Sequence, residues 1–155
     1  MTRVDFYVLP QADIKSRELY ACRLTEKAVR HGHSVYLHTD SHDEADRLDA
    51  MLWSFRADSF LPHCRLEQLD VLALPVVPPV PAVVIGCSVD PGPFHDVLIN
   101  LSAAVPVFFG RFARVSEVVV QTPAILEATR NSFKFYKDRG FPLHTHRVDE
   151  HARSS

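Results

Sequence analysis

Nine histidines, three cysteines and a run of acids are the residues of this chain that could do chemistry. His31 with His33, and His144 with His146, form two HxH pairs; if 144–146 is a strand, its two rings share one face, which would suit two zinc ligands. No carboxylate or cysteine at a tidy ligand spacing completes either pair, so polar residues at a strand edge are the plainer reading. Asp58, Ser59 and His63 lie close together in a loop, but nothing places them in a relay, and no GxSxG elbow occurs. His63 stands beside Cys64, yet neighbours in an extended chain point apart. Asp43, Glu44, Asp46 and Asp49 read as solvated charge on a helix surface. A dinucleotide site needs glycines in the turn after the first strand, so that backbone can approach phosphate. Here that turn is PQADIKS, and GxxxxGK[ST] does not occur. Asp40, at the end of the second predicted strand, reads as a turn or helix-start charge without those glycines. With no catalytic constellation, a binding protein is favoured over an enzyme.

A different chemistry is written near the end of the chain. Arg130, Lys134 and Lys137, with Phe133 among them, form a stripe on one predicted helix. A basic row beside aromatic rings can bind an acidic peptide that also carries an aromatic side chain: charge steers the encounter and the ring pocket holds the partner. A solvated face on a core helix is the ordinary alternative. Trp53, Phe55 and Phe60 form a second aromatic group, at a helix end and in the loop after it. Large rings in such places often mark a protein contact; Phe55 is the one assigned to the core.

The elements that must position these groups follow from local pattern. The chain of 155 residues, 46% hydrophobic and 23% charged, is the size and composition of one globular domain. A net charge of −2 supplies no global field for nucleic acid, so any basic site is local. There is no apolar run of membrane-spanning length and no signal-peptide pattern, and Cys22, Cys64 and Cys87 are too scattered for a disulfide framework, which points to the cytosol. Residues 4–9 read as a strand, 17–31 as a helix with Asp13 or Ser16 as its cap, 34–39 as a strand. Residues 41–53 read as a helix with a Ser41–Glu44 capping box. Prolines at 75, 78, 79 and 81 demote one stretch to extended or edge structure. Residues 82–87 and 97–101 return as strands, and 103–109, with Pro106 inside, is at best a short helix or turn. Val118, Val119 and Val120 suit a strand covered on both faces. Thr122 and Pro123 then open the last helix, which Gly140 closes. Residues 142–148 add an edge strand, and the final HARSS frays. Alternating strands and helices imply an α/β fold, a single Rossmann-like domain over 1–148 with a flexible 149–155 tail. The sheet is mostly parallel with helices on both faces and no nucleotide-binding loop.

Four stretches carry a family resemblance: VDFYVL, EADRLDAMLWSFRADSFLPH, DVLINLSAAVPVFFGRFARVSEVV and FKFYKDRGF. In order and spacing, over nearly the whole chain, the sequence resembles the chi subunit of bacterial DNA polymerase III holoenzyme. That resemblance implies a non-catalytic clamp-loader accessory subunit, with no cofactor and no metal. Its partners would be the small psi subunit and the acidic, phenylalanine-ending C-terminal tail of single-stranded-DNA-binding protein, with no direct nucleic-acid or membrane contact. Carried over by position, Arg130 pairs the terminal carboxylate or an aspartate of the tail, and Lys134 adds charge. Lys137 extends the same basic stripe, Phe133 and Val119 line the apolar pocket, and Trp53 lies near it. Phe60 serves the psi contact and, in some members, a repair helicase that competes with psi. This chain departs from the pattern at Leu126, where a lysine is frequent, at Phe133, where a tyrosine is frequent, and across 75–81. The rival expectation is a small Rossmann-like enzyme holding a nucleotide or metal near Asp40 and Ser88.

Overall fold

The computed structural model describes residues 1–55, 61–66, 82–87, 91 and 94–149. Among them, seven strands form one sheet: β1 (Arg3–Val8), β2 (Val35–Thr39), β3 (His63–Arg65), β4 (Val83–Cys87), β5 (Val97–Asn100), β6 (Arg114–Val119) and β7 (Leu143–Arg147). Their order is β3-β4-β2-β5-β6-β1-β7, and every pairing is parallel. Parallel strands need return crossovers, which helices supply. α1 (Ile14–Arg30) follows β1, α2 (His42–Ser54) follows β2, and α3 (Pro123–Asp138) joins β6 to β7.

Two apolar layers fix which helix covers which face. Val35, Leu37, Ile85, Ile99 and Val118 point to one side and pack with Ala21 and Cys22 of α1 and with Ala45, Leu48 and Leu52 of α2. Val4, Phe6, Tyr36, Leu98, Val115 and Val119 point to the other and pack with Tyr136 of α3. Strands buried on both faces read as nearly continuous apolar runs, hence Val118–Val120.

Local chemistry sets the ends. α1 begins three residues earlier than the periodicity predicts, because Asp13 caps it by accepting the Ser16 N–H at 3.0 Å. Ser41 caps α2 by accepting the Glu44 N–H at 3.2 Å, but Glu44 does not close the box: its carboxylate takes the Thr39 hydroxyl instead. Thr122 occupies the N-cap position of α3, yet its hydroxyl donates to the Ala12 carbonyl, tying the helix start to the loop after β1. Gly140, at φ 78°, closes α3 in the left-handed conformation that glycine adopts without a Cβ penalty. β3 falls where the pattern predicts only a loop; three residues paired to β4 leave no periodic signal. Residues 103–108 form a loop that ends in a single 3-10 turn, Phe109–Arg111. The proline stretch at 75–81 and the end of the chain from 150 lie outside the described residues.

Candidate functional site

α3 must run back from the carboxyl end of β6 to the amino end of β7, so it crosses β1, which lies between them. Its orientation is set by three contacts. The Tyr136 hydroxyl donates to Glu117 Oε2 on β6 at 2.7 Å. Ser132 and Ala128 line a cleft with Leu101, Ser102 and Ala103, just beyond β5. Phe133 leans the opposite way, its ring 5.4 Å from that of Phe6 on β1. At about 100° per residue, Lys137 and Arg130 follow some 40° and 60° beyond Phe133. They therefore face the β7 side. Lys134 points further outward.

This flank is what a basic-aromatic site requires. Phe133 is 37% exposed, so its ring stands at the rim of the core beside the basic stripe. Arg130, Lys134 and Lys137 are exposed and form no ion pair among the described residues. Val119 differs: at 2% exposure it belongs to the core layer below α3 and forms the floor under the helix, not a pocket wall. Arg139 adds a cation over the Phe135 ring, 3.6 Å from its centroid.

Beneath the flank, a buried polar chain holds α3 to the sheet. Asn100 Nδ2 donates to Glu117 at 3.1 and 3.3 Å, and its Oδ1 accepts from the Ser102 hydroxyl at 2.6 Å. His38 Nδ1 lies 3.0 Å from the same Oδ1. Since that oxygen only accepts, His38 carries its proton on Nδ1. Its buried Nε2 then has no hydrogen-bond partner, and burial lowers its pKa below the ordinary 6.5. Burial also pushes the Glu117 carboxyl up to about 7, against the donors Asn100 and Tyr136, which favour its charge. The sequence reading missed this chain. Its only trace is a polar residue set among apolar strand residues, Asn100 at the end of VLIN and Glu117 before the valines of RVSEVV.

The other predicted groups are dispersed. Trp53 is 52% exposed and packs on His63 of β3, ring centroids 4.4 Å apart. α2 covers the face opposite α3, and β3 is the far edge strand. Trp53 therefore does not share a surface with Arg130 and Phe133, although the resemblance implies a place near the tail site. Phe60 and Ser88 lie outside the described residues. Asp40 lines a cleft of about 170 Å³ at the carboxyl ends of the strands, with Arg17 and Glu117, and its carboxylate accepts the Ala103 N–H at 2.7 Å. Arg17 is spent there on the carbonyls of Val118 and Leu101, at 2.8 and 3.1 Å. His144 and His146 do not converge on a shared ligand: His146 stacks on Tyr7 and contacts buried Asp5 at 2.8 Å. Cys22, Cys64 and Cys87 form no disulfide among the described residues.

Known proteins share this fold. The fold is similar to that of T4 UvsW, with a TM-score of 0.66 at 8% identity over 96% of this chain and 42% of that one. It is also similar to domain 2 of the DEAD-box helicase Mss116p, with a TM-score of 0.62 at 12% identity over 97% of this chain and 67% of that one. At such identities the likeness concerns the fold alone. Sequence relatives are nearer. DNA polymerase III subunit chi of Pseudomonas aeruginosa is 46% identical over 148 residues, 96% of this chain and 98% of its own length. The subunits of that name from Escherichia coli and Haemophilus influenzae are 26% and 25% identical, over 94% and 92% of this chain and 97% and 95% of their own. Residues 1–144 match the family described as DNA polymerase III chi subunit, HolC. The family match over residues 1–144 and the 46% identity over 96% of the chain make this chain a member of the DNA polymerase III chi subunit family.

Proposed function

We propose that this chain is a non-catalytic adaptor in DNA replication, which ties the clamp loader, through a psi subunit, to the acidic C-terminal tail of single-stranded-DNA-binding protein. The observation that carries the reading is the flank of α3. Three exposed cations, Arg130, Lys134 and Lys137, lie to one side of the partly exposed Phe133, and Phe133 rests on Phe6 of β1. The tail's phenylalanine would pack beside Phe133, and its carboxylates would meet the cations. Arg130 takes the terminal carboxylate or an aspartate, because its planar fork suits bidentate pairing. The near-neutral chain favours protein contacts over a broad phosphate-binding surface. The psi contact is assigned to Phe60, as the resemblance implies, and to Trp53, which is exposed at the end of α2 on the face opposite α3. A repair helicase would compete there in those members that bind one. Such an adaptor works in the cytoplasm; among the described residues no helix is long and apolar enough to cross a membrane.

The test is a fluorescence-anisotropy titration with a labelled acidic peptide ending in Pro-Phe, at low and moderate salt. Binding in the micromolar range, roughly −7 to −8 kcal/mol, and weakened by salt is expected. Arg130→Ala should lose about 1.5–3 kcal/mol, the worth of a charged hydrogen-bonded pair. An unchanged affinity in that variant would remove the site from α3.

A further inference from the structure

We infer that Arg147 is a further cation of the tail site, supplied by the edge strand across from Leu126 of α3. The inference rests on the reading of the α3 flank as a tail site. Strand alternation decides which way Arg147 points. Leu143 packs in the layer under α3, whereas His146 turns to the other face, onto Tyr7 and Asp5. Arg147, four residues from Leu143 and next to His146, shares the α3 face with Leu143.

Register decides how far along it lies. Arg147 is level with Val8, and Val8 is level with Val119 on the other side of β1. These positions are at the carboxyl ends of the strands, where α3 begins. Leu126 is in the first turns of α3 and packs, like Val8, into the same layer. On the helix wheel Leu126 stands only about 20° from Phe133, toward β7. The same end of the same groove is therefore bordered by Leu126 on the helix and Arg147 on the strand. Arg147 is exposed and forms no ion pair among the described residues. On α3 itself the acids Glu127 and Asp138 fall on the outward side of the helix, away from β7. A guanidinium free on this border meets a second carboxylate of the acidic peptide, one that Arg130 does not hold.

The experiment uses the full chain and the same labelled Pro-Phe peptide. Arg147→Ala should weaken binding about tenfold and flatten its salt dependence, with thermal unfolding unchanged. Adding Leu126→Lys to that variant should recover most of the loss by placing a charge on the helix side. Lys27→Ala, an exposed cation on the opposite face, should leave affinity unchanged. If Arg147→Ala binds like wild type while Arg130→Ala does not, the Arg147 assignment fails and the tail reading stands. Equal losses from Lys27→Ala and Arg147→Ala would reduce the effect to net charge and overturn the assignment. If the wild-type chain does not bind the peptide, both readings fall.

Discussion

Glu117 gives the buried polar chain a measurable signature. Its carboxyl is held at about 7 in the fold, chiefly by burial, against an ordinary 4.5. A carboxyl with a raised folded pKa binds its proton more tightly in the native state. Stability is therefore full below about 4.5, falls as pH rises toward 7, and is reduced by a constant amount above it. The gap between the two values corresponds to roughly 3 kcal/mol, a large share of the 5–15 kcal/mol typical of a domain. His38 acts in the opposite sense. Its folded pKa lies below 6.5, so it removes stability as pH falls through that range. The two slopes overlap, and wild type alone would show a blurred optimum. Glu117→Gln removes one slope and keeps the shape, so the difference between the two proteins isolates Glu117. Urea unfolding at pH 5, 6, 7 and 8 should find Gln gaining on Glu by roughly 2–3 kcal/mol from pH 5 to pH 8. Parallel stability curves would refute the reasoning, because they would mean that Glu117 is not titrating in a dry site.

Two further perturbations test the frame around the site. At Gly86 on β4 an added Cβ would overlap the Tyr36 hydroxyl and lie 2.5 Å from ring carbons Cε1 and Cζ. Tyr36 is fully buried and stacked on Phe112, centroids 6.2 Å apart, so it cannot swing aside. Gly86→Ala should cost about 3 kcal/mol or more in urea unfolding, at or above the usual range for overpacking. Pairing it with Tyr36→Val should cost less than the two changes summed, and strict additivity would show that the clash is absent. Asp5, with its side chain 1% exposed, gathers Arg3, Arg114 and His146 at 3.1, 3.5 and 2.8 Å across β1, β6 and β7. Asp5→Ala should destabilise by about 1–3 kcal/mol and speed amide exchange in β7 first; uniform exchange across the sheet would contradict its role as the clasp of that edge.

What could be read without coordinates was local. Asp13, Ser41, Pro123 and Gly140 act through neighbours within one turn, so the positions of α1, α2 and α3 follow from short spacing. The Val118–Val120 run announces a doubly covered strand for the same reason. Strand order is not local. Nothing near Trp53 says that β2 lies three places from β1, or that α2 and α3 cover opposite faces. The resemblance implies that Trp53 lies near Arg130, and only the sheet separates them. Asn100, Glu117 and Tyr136 come from β5, β6 and α3, so their convergence needed the same long-range information. The Arg147 assignment depends on it too, since the residue faces Leu126 only through the β1–β7 register. The separation of Trp53 also bears on the adaptor reading. An adaptor must hold two partners at once, and one contiguous surface would make them compete. With the basic flank of α3 on one face and Trp53 at the far edge of the other, filling one surface leaves the other open. Binding of the acidic peptide should then be independent of substitution at Trp53.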